Sequence, residues 1–377
     1  MTASTELETA KRIVIKIGSS LLISENGVRL TWLNSLADDV ARLHRKNKEV
    51  IVVSSGAIAL GKNILGQEDQ KLQLDQKQAA ASVGQIELGK LFRSVFSQRQ
   101  INCGQILLTY EDTEQRRRYL NARATIDSLL GFGVVPIVNE NDTVATTEIR
   151  YGDNDRLSAR VASMCAADLL IIFSDVEGLF TGPPDDPESE FVSRIEKIGP
   201  VVESMASKTT SKYGTGGMVT KIQAAKIATQ AGTQVVITSG QPLNPIAQLE
   251  SSSRRTVFDA MGSPGSARKK WIASDLNPSG KIYIDAGALK AVEDNKSLLP
   301  VGVIHIEGDF SRGDIVEIFS ETDTAVGRGI SAYDRSEAVQ LMGHQADKIE
   351  SLIGYRGPEN IIHRDDMIVF SKAENSK

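Results

Sequence analysis

The chain is poor in the residues that build disulfide scaffolds and metal centres. Its 377 residues include only two cysteines, Cys103 and Cys165, which form no C-x-x-C motif. This excludes a disulfide-rich fold and a cysteine-zinc site. The four histidines are scattered along the chain and form no H-x-x-x-H pair. We therefore expect no metal ion held by the protein itself.

Long apolar segments and a large excess of one charge are also missing. No run approaches the roughly 18 apolar residues of a transmembrane helix, and Lys16 interrupts the apolar run near the N-terminus, unlike a signal peptide. Aromatic residues make up 5% of the chain and hydrophobic residues 41%, so the core must be mainly aliphatic. The net charge of −5 does not favour nucleic-acid binding by charge alone. These features predict a soluble cytoplasmic protein without a membrane partner.

The first two thirds of the chain alternate between short β-branched runs and longer helical patterns. The runs predict buried strands at 12–17, 49–53, 105–109, 134–138, 168–173 and 234–238. The helical patterns between them cover 31–45, 76–96, 114–130, 155–166 and 218–231. This alternation predicts an α/β fold, a three-layer sandwich around a mostly parallel sheet. In such sheets, ligands bind at the carboxyl ends of the strands.

The character of the sequence changes after about residue 258. Residues 262–266 are typical of a turn or linker, and short strands at 268–273, 281–285, 303–307, 314–319 and 325–331 follow. We predict a first domain over 1–262, a linker and first strand region over 263–277, a small β-rich barrel domain over 278–358 and a polar tail over 359–377.

Two motifs point to phosphate. The glycine-rich run Gly214–Lys221 precedes a helical pattern, and a glycine-rich turn at a helix N-terminus presents free N–H groups and the positive end of the helix dipole to an anion. Lys16 ends the first strand and interrupts its apolar pattern, so a buried ammonium there needs an anionic partner. A plain flexible loop and an edge-strand lysine that faces water are the alternatives.

Two clusters of carboxylates and amides follow at predicted strand or helix ends, Asn139–Asp142 and Gly152–Asp155. Such groups can hold the ammonium and carboxylate of a small polar substrate, although they are also ordinary turn and cap residues. Ser174 and Asp175 leave the next strand and are positioned to contact a nucleotide. No histidine accompanies these groups, so the residues indicate electrostatic support of phosphoryl transfer.

Two weaker patterns are set aside. Gly56–Asn63 approaches the P-loop pattern, but Asn63 stands where a Ser or Thr is required and the interior is apolar. The run Arg116–Arg118 opens a helix that also carries acidic residues. We interpret it as a solvated helix face in preference to an anion site.

The motifs Val14–Ser20, Ser54–Ile58, Asn139–Asp142, Gly152–Asp155 and Gly214–Lys221 occur in this order. In this combination the chain resembles the glutamate-phosphorylating members of the amino-acid kinase family, which carry a C-terminal PUA domain. The resemblance implies a catalytic domain over 1–262 and a PUA-like domain over 278–358. It also implies ATP-dependent phosphorylation of the side-chain carboxylate of L-glutamate, the first step of proline synthesis, with Mg²⁺ carried by the nucleotide. Proline as a feedback inhibitor and a homo-oligomeric state are further implications.

The resemblance also assigns expected roles to residues. Lys16 and Lys221 would stabilise the transferring phosphoryl group, and Asp155 would orient them. The glutamate-binding residues would be Ser55, Asn139, Asp142 and Asn154. The ATP-binding residues would be Lys16, Ser174, Asp175, Thr215, Gly216, Gly217, Met218, Val219, Thr220 and Lys221. Arg150 stands where the family commonly has lysine, and no role is carried over to it.

Two alternatives stay open. One is another carboxylate kinase of the same family, acting on aspartate or acetylglutamate, although those enzymes normally lack the β-rich C-terminal domain. The other is RNA binding through the PUA-like domain. Residues 268–377 contain 14 Lys and Arg against 18 Asp and Glu, a balance opposite to the basic footprint of RNA-binding domains.

Overall fold

The structure is a computed structural model that describes residues 5–24, 27–145, 154–208, 217–251, 254–267, 272 and 278–370. The chain divides into two compact units, Met1–Pro264 and Gly265–Lys377. The division falls inside the segment predicted as a linker. The strand expected at 268–273 is wrong at Ile272, which is helical and buried, and residues 264–267 are helical as well. The other residues of the expected strand lie outside the described part of the chain.

The first unit is built on one eight-stranded sheet. Its strands are β1 (Arg12–Ile17), β4 (Glu49–Ser54), β5 (Cys103–Leu108), β6 (Val135–Glu140), β7 (Leu169–Ser174), β10 (Arg194–Ile195), β11 (Gln234–Ser239) and β12 (Arg255–Phe258). Two small hairpins, β2 (Ile23–Ser24) with β3 (Gly27–Val28) and β8 (Leu179–Phe180) with β9 (Phe191–Val192), lie outside this sheet.

The strand order is β10-β12-β11-β7-β1-β4-β6-β5. All pairings from β11 to β5 are parallel, and β12 runs antiparallel to β11. The chain reaches β4 on one side of β1 and later crosses to β7 on the other side. The carboxyl end of β1 therefore lies at a change of winding direction, the place where open α/β sheets bind ligands.

Helices cover both faces of the sheet. They are α1 (Thr5–Thr9), α2 (Ser19–Leu22), α3 (Leu30–Arg45), α4 (Ala57–Ile64), α5 (Leu74–Ser97), α6 (Tyr110–Glu114), α7 (Arg116–Gly131), α8 (Asn154–Met164), α9 (Pro200–Lys208), α10 (Met218–Gln230) and α11 (Pro245–Glu250). The apolar faces of α3 and α5 pack in one buried cluster, and those of α7, α8 and α10 pack in a second. The predicted three-layer α/β sandwich is confirmed.

Side-chain alternation along β1 decides where its lysine points. Ile13, Ile15 and Ile17 belong to the cluster of α3 and α5, whereas Val14 belongs to the cluster of α8 and α10. Lys16 lies two residues after Val14, so it shares the face covered by α8 and α10. It is 7% exposed on a central strand, which excludes the alternative of an edge-strand lysine facing water.

The second unit contains a five-stranded mixed sheet. Its strands are β13 (Gly280–Ile284), β14 (Val303–Gly308), β15 (Ile315–Ser320), β16 (Ala325–Ile330) and β17 (Met367–Val369), in the order β14-β13-β15-β16-β17. Short helices α12 (Ala286–Glu293), α13 (Arg335–Leu341) and α14 (Ile349–Ile353) accompany it. The β-rich character predicted for this part of the chain is confirmed.

The polar tail was predicted to begin at residue 359, but the core of the second unit extends past that position. Strand β17 pairs with β16, and Ile361, Ile362 and Met367 are buried in the core of the second unit. The polar run His363–Asp366 concealed this, because it lies between two short apolar segments that each contribute to the core. Residues 371–377 lie outside the described part of the chain.

Candidate functional site

A cavity of about 320 Å³ opens at the carboxyl ends of β1, β4, β6 and β7. Eight of the predicted site residues line it: Lys16, Ser55, Asn139, Asp142, Asn154, Ser174, Asp175 and Lys221. These residues are up to 205 positions apart in the sequence. The parallel sheet brings them together because each follows or ends a strand, or begins a helix, at the same edge.

Two lysines and one aspartate form the buried part of this site. Lys16 Nζ lies 2.6 Å from Asp155 Oδ1, and Lys221 Nζ lies 3.3 Å from Asp155 Oδ2. The three residues are between 1% and 7% exposed. Two ammonium groups thus share one carboxylate, and the trio keeps one net positive charge beside the cavity. That charge favours an anionic ligand.

Asp155 is held in its ionised form. Burial by itself would raise the pKa of this carboxyl, but the charges of Lys16 and Lys221 and hydrogen bonds from Lys16 and Thr220 outweigh it and lower the pKa. Thr220 Oγ1 donates to Asp155 Oδ2 at 2.9 Å. The carboxylate therefore fixes both ammonium groups toward the cavity.

Helix α10 places Lys221 at the site. Gly217 is its N-cap, and Lys221 is the fourth helical residue, so its ammonium lies near the positive end of the helix dipole. Met218 is buried, Val219 is 42% exposed and Thr220 contacts Asp155. Thr215 and Gly216, and the rest of the glycine-rich run before Gly217, lie outside the described residues.

A network of amides lies on the β4 and β6 side of Lys16. Asn154 Nδ2 is 2.7 Å from Ser54 O, 2.9 Å from Ser55 Oγ and 2.9 Å from Asn139 Oδ1. Asn139 in turn donates to Gln85 Oε1 of α5 at 2.7 Å. Within the part of the chain that is described, Asn154 Oδ1 is buried and has no hydrogen-bond partner. This leaves an acceptor for a donor that the described residues do not provide.

Asp142 is a buried carboxylate with no cationic partner among the described residues. It lies just after β6, is 8% exposed and lines the cavity. No ion pair joins it to any described residue, and burial raises its pKa to about 6. Burying an unpaired carboxylate is costly, so a cationic group in the cavity would stabilise it.

Ser174 and Asp175 lie on the other side of Lys16, at the end of β7. Ser174 is buried and its Oγ donates to Asp175 Oδ1 at 3.0 Å, while Asp175 is exposed. Their position beyond the two lysines separates them from the amide network. The cavity thus has one end near β7 and another near β6, with Lys16 on β1 between them.

Two lysines that the sequence analysis did not assign to a site also line the cavity. Lys62 belongs to the near-match to the P-loop, and that interpretation remains excluded because Ala57–Ile64 is a helix. Lys62 Nζ donates to the carbonyl oxygens of Glu68 and Gln70. Lys77 lies in the first turn of α5, within a polar stretch of sequence that gives no signal of a site.

Other observations bound the kinds of function to consider. Among the described residues, no group of three or more His, Cys, Asp or Glu side chains could hold a metal ion. In the same residues, no helix is long and apolar enough to cross a membrane. Arg117 and Arg118 are exposed, as expected of a solvated helix face, whereas Arg116 is half-buried and departs from that expectation. Arg150 and the cluster Gly152–Asp153 lie outside the described residues.

The fold and the site together define a class. A parallel sheet whose central strand presents a buried lysine, coupled through one carboxylate to a second lysine at a helix N-terminus, is suited to phosphoryl transfer. The sequence profile of the amino acid kinase family matches residues 11–239, and that of the PUA domain matches residues 280–353. The chain belongs to the amino acid kinase family.

Two proteins that share one name are similar to this chain over nearly its whole length. Glutamate 5-kinase of Agrobacterium fabrum is 50% identical over 373 residues, covering 98% of this chain and 96% of that protein. Glutamate 5-kinase of Brucella ovis is 50% identical over 366 residues, covering 97% of each chain. A solved carbamate kinase from Giardia lamblia, bound to AMP-PNP, aligns with a TM-score of 0.47 at 15% identity, covering 67% of this chain and 99% of that one. That last alignment adds nothing to the assignment.

Proposed function

We propose that the chain catalyses the ATP-dependent phosphorylation of the side-chain carboxylate of L-glutamate. The product is L-glutamyl 5-phosphate, and the reaction is the first step of proline biosynthesis. The observation that carries this proposal is the buried Lys16–Asp155–Lys221 trio beside a cavity that also holds the carboxylate of Asp142, which forms no ion pair with any described residue. The names of the relatives that are half identical over nearly the whole chain support glutamate as the substrate.

The order of the strands supports a division of the cavity into two halves. Neighbouring strands are roughly 4.8 Å apart, so the ends of β7 and β6 are separated by roughly 14 Å, with β1 between them. We assign the half beyond β7 to the nucleotide, bound with the help of Ser174, Asp175 and the segment Thr215–Lys221. The half toward β6 is assigned to glutamate. The reacting groups then meet at Lys16.

The chemistry follows from this arrangement. An oxygen of the side-chain carboxylate attacks the γ-phosphorus of Mg·ATP while the bond from that phosphorus to the β,γ-bridging oxygen breaks, and ADP leaves. Negative charge develops on the transferring group, and Lys16 and Lys221 stabilise it from a low-dielectric site. Asp155 orients both lysines and receives no proton, since its pKa is lowered.

The glutamate half supplies groups of matching polarity. The ionised carboxylate of Asp142 receives the substrate ammonium, which replaces the cation that the described residues do not provide. Asn154 Oδ1 accepts a further hydrogen bond, and Ser55 and Asn139 hold Asn154 in place. The substrate is thereby oriented with its side-chain carboxylate toward Lys16.

Inhibition by proline, a cytoplasmic location and a homo-oligomeric state form a separate part of the proposal. Proline resembles cyclised glutamate and carries the same ammonium and carboxylate, so it would compete for the half that contains Asp142. We expect millimolar proline to raise the KM for glutamate, and an unchanged KM would contradict this. The free thiols of Cys103 and Cys165 fit a reducing cytoplasm. A homo-oligomer is expected from the family.

The test uses purified protein with ATP, Mg²⁺, L-glutamate and hydroxylamine, which traps the acyl phosphate as a hydroxamate. The proposal predicts hydroxamate from glutamate and little from aspartate or acetylglutamate, the substrates of the alternative kinases. Lys16→Met should abolish the signal, whereas Lys90→Met, an exposed lysine on α5, should retain it. Absence of glutamyl hydroxamate with the unmodified enzyme would overturn the proposal.

A further inference from the structure

Gln85 on α5 contacts the network of amides from the side away from the cavity and has no assigned role. Its Oε1 accepts a hydrogen bond from Asn139 Nδ2 at 2.7 Å. Gln85 is half-buried and does not itself line the cavity, whereas Asn139 and Asn154 do. An influence of Gln85 on a bound ligand must therefore pass through Asn139.

The crossing of α4 and α5 fixes the position of Gln85. A Cβ added at the preceding residue, Gly84, would lie 1.8 Å from Ala57 O and 2.5 Å from Gly61 N, so the backbones of the two helices are in direct contact there. Ala57 is the first residue of α4 and lines the cavity. Gln85 thus extends from a close helix contact at the edge of the site, which suits a residue that holds others in place.

The donor and the acceptor of each amide decide the orientation of the next one. A carboxamide donates through its nitrogen and accepts through its oxygen. While Asn139 Nδ2 donates to Gln85, Asn139 Oδ1 accepts from Asn154 Nδ2 at 2.9 Å. An Asn139 amide rotated by half a turn would place oxygen against oxygen at Gln85 and nitrogen against nitrogen at Asn154. Gln85 therefore selects the orientation of Asn139 that supports Asn154, and Ser54 O, 2.7 Å from the same nitrogen, supports it from β4.

Asn154 Oδ1 is the last group in this chain of hydrogen bonds. It is buried and has no hydrogen-bond partner among the described residues. Four lysines line the cavity, yet none of them, within the described part of the chain, donates to this oxygen. Glu140 also lines the cavity and has an interaction of its own, but a carboxylate accepts hydrogen bonds and donates none. Glutamate at neutral pH carries N–H donors only on its α-ammonium, which is the group that matches this acceptor.

We propose that Gln85 is a positioning residue for the binding of the amino-acid substrate. It orients Asn139, Asn139 orients Asn154, and Asn154 Oδ1 accepts a hydrogen bond from the substrate ammonium. The inference rests on the proposed function and deepens it, because it assigns a determinant of glutamate affinity that lies outside the cavity. These hydrogen bonds do not involve the two lysines of the trio, so the chemical step should be unaffected.

The experiment measures hydroxamate formation by the full-length enzyme with ATP, Mg²⁺ and varied L-glutamate. Gln85→Met keeps the length of the side chain and removes the acceptor for Asn139 Nδ2. The loss of a partner for a buried polar group corresponds to a factor of about 5 to 100. The KM for glutamate should rise by about that factor, whereas kcat and the KM for Mg·ATP should each change by less than about threefold.

A conservative variant and a matched control separate positioning from a general effect on the fold. Gln85→Glu keeps an oxygen that can only accept, so it should hold Asn139 in the same orientation and keep the KM for glutamate within about threefold of that of the unmodified enzyme. Gln248→Met makes the same change at an exposed position of α11 and should leave all three kinetic constants unchanged. Where Gln85→Met does not fold, Gln85→Ala is measured in its place.

Each outcome has a consequence. A raised KM for glutamate in Gln85→Met that Gln85→Glu restores supports the proposal. An unchanged KM in Gln85→Met, a fall in kcat alone, or an equally raised KM in Gln85→Glu overturns it. If the unmodified enzyme forms no hydroxamate from glutamate, the proposed function fails and this inference fails with it. An active enzyme whose KM does not respond to Gln85→Met overturns the inference alone.

Discussion

Asp142 allows a prediction in which stability and activity change in opposite directions. Its carboxyl is 8% exposed, and its pKa is raised to about 6 by burial. Replacing it with asparagine removes a buried charge without changing the size of the side chain. We expect Asp142→Asn to make the ligand-free protein more stable at neutral pH and to impair binding of glutamate.

The stability effect follows from proton linkage. In the unfolded chain the carboxyl titrates near its ordinary value of 3.8, and in the folded protein near 6. Below pH ~4 it is protonated in both states. The folded state then loses stability as the pH rises from ~4 to ~6, by about 3 kcal/mol in all. Asp142→Asn should recover up to about 3 kcal/mol above pH ~7 and little below pH ~4.

The activity effect has the opposite sign. The substrate ammonium requires the ionised carboxylate, so kcat/KM for glutamate should fall about tenfold for each pH unit below ~6. In Asp142→Asn this dependence should disappear, and kcat/KM should be lower by about 100-fold at neutral pH because a charge-assisted contact is lost. The KM for Mg·ATP serves as the internal control at each pH.

The assay combines denaturant unfolding at several pH values with steady-state kinetics of the same two proteins. An Asp142→Asn variant that is less stable than the unmodified protein at pH 8 would refute the account of a carboxylate destabilised by its burial. A pH profile for glutamate that the substitution leaves in place would refute its role toward the ammonium. The two results are independent of each other.

Three further predictions concern the lysine trio and the helix contact beside it. Lys221→Met should lower kcat by about 10² to 10³ with less than a threefold change in the KM for glutamate, measured by hydroxamate formation; a kcat within threefold of the unmodified enzyme would contradict it. Asp155→Asn leaves two buried ammonium groups without their shared carboxylate, so it should lower the free energy of unfolding by about 3–5 kcal/mol. This loss contrasts with the gain expected for Asp142→Asn. An unchanged free energy of unfolding would show that the trio is not coupled. A Cβ added at Gly61 would lie 1.8 Å from Ala80 O across the contact of α4 with α5, so Gly61→Ala should destabilise the folded protein by about 1–3 kcal/mol or more. The control is Gly131→Ala, where no atom lies within 4 Å of the added Cβ, and its effect on stability should be nearly zero.

Much of the first unit could be predicted from local pattern. The six expected strands of this unit occur within two residues of their predicted ends, because parallel strands covered on both faces leave uninterrupted apolar runs. The edge strand β10 and its neighbour β12 were missed, since two and four residues are too few to give a periodic signal. Strand order depends on packing between residues that are far apart in the chain, and no local sequence pattern indicates it.

The residues of the site also divide into those that a local sequence pattern predicts and those that it does not. Lys16 was predictable because a lysine inside an apolar strand conflicts with burial and needs an anion. Its pairing with Asp155, 139 positions away, came from resemblance and could not be derived from spacing. Lys77 gave no signal, because a lysine among glutamines in a helical pattern resembles any solvated face. Only the fold brings that turn of α5 to the cavity.

The central claim is that a carboxylate oxygen of glutamate attacks the γ-phosphorus of ATP beside Lys16 and Lys221. It is tested most directly with glutamate labelled with ¹⁸O in its side-chain carboxylate. The acyl phosphate cyclises to 5-oxoproline and releases phosphate, which mass spectrometry can analyse. The account predicts one ¹⁸O atom in each phosphate released. Phosphate without ¹⁸O, formed while ATP is consumed, would mean that water is the acceptor and would contradict the account.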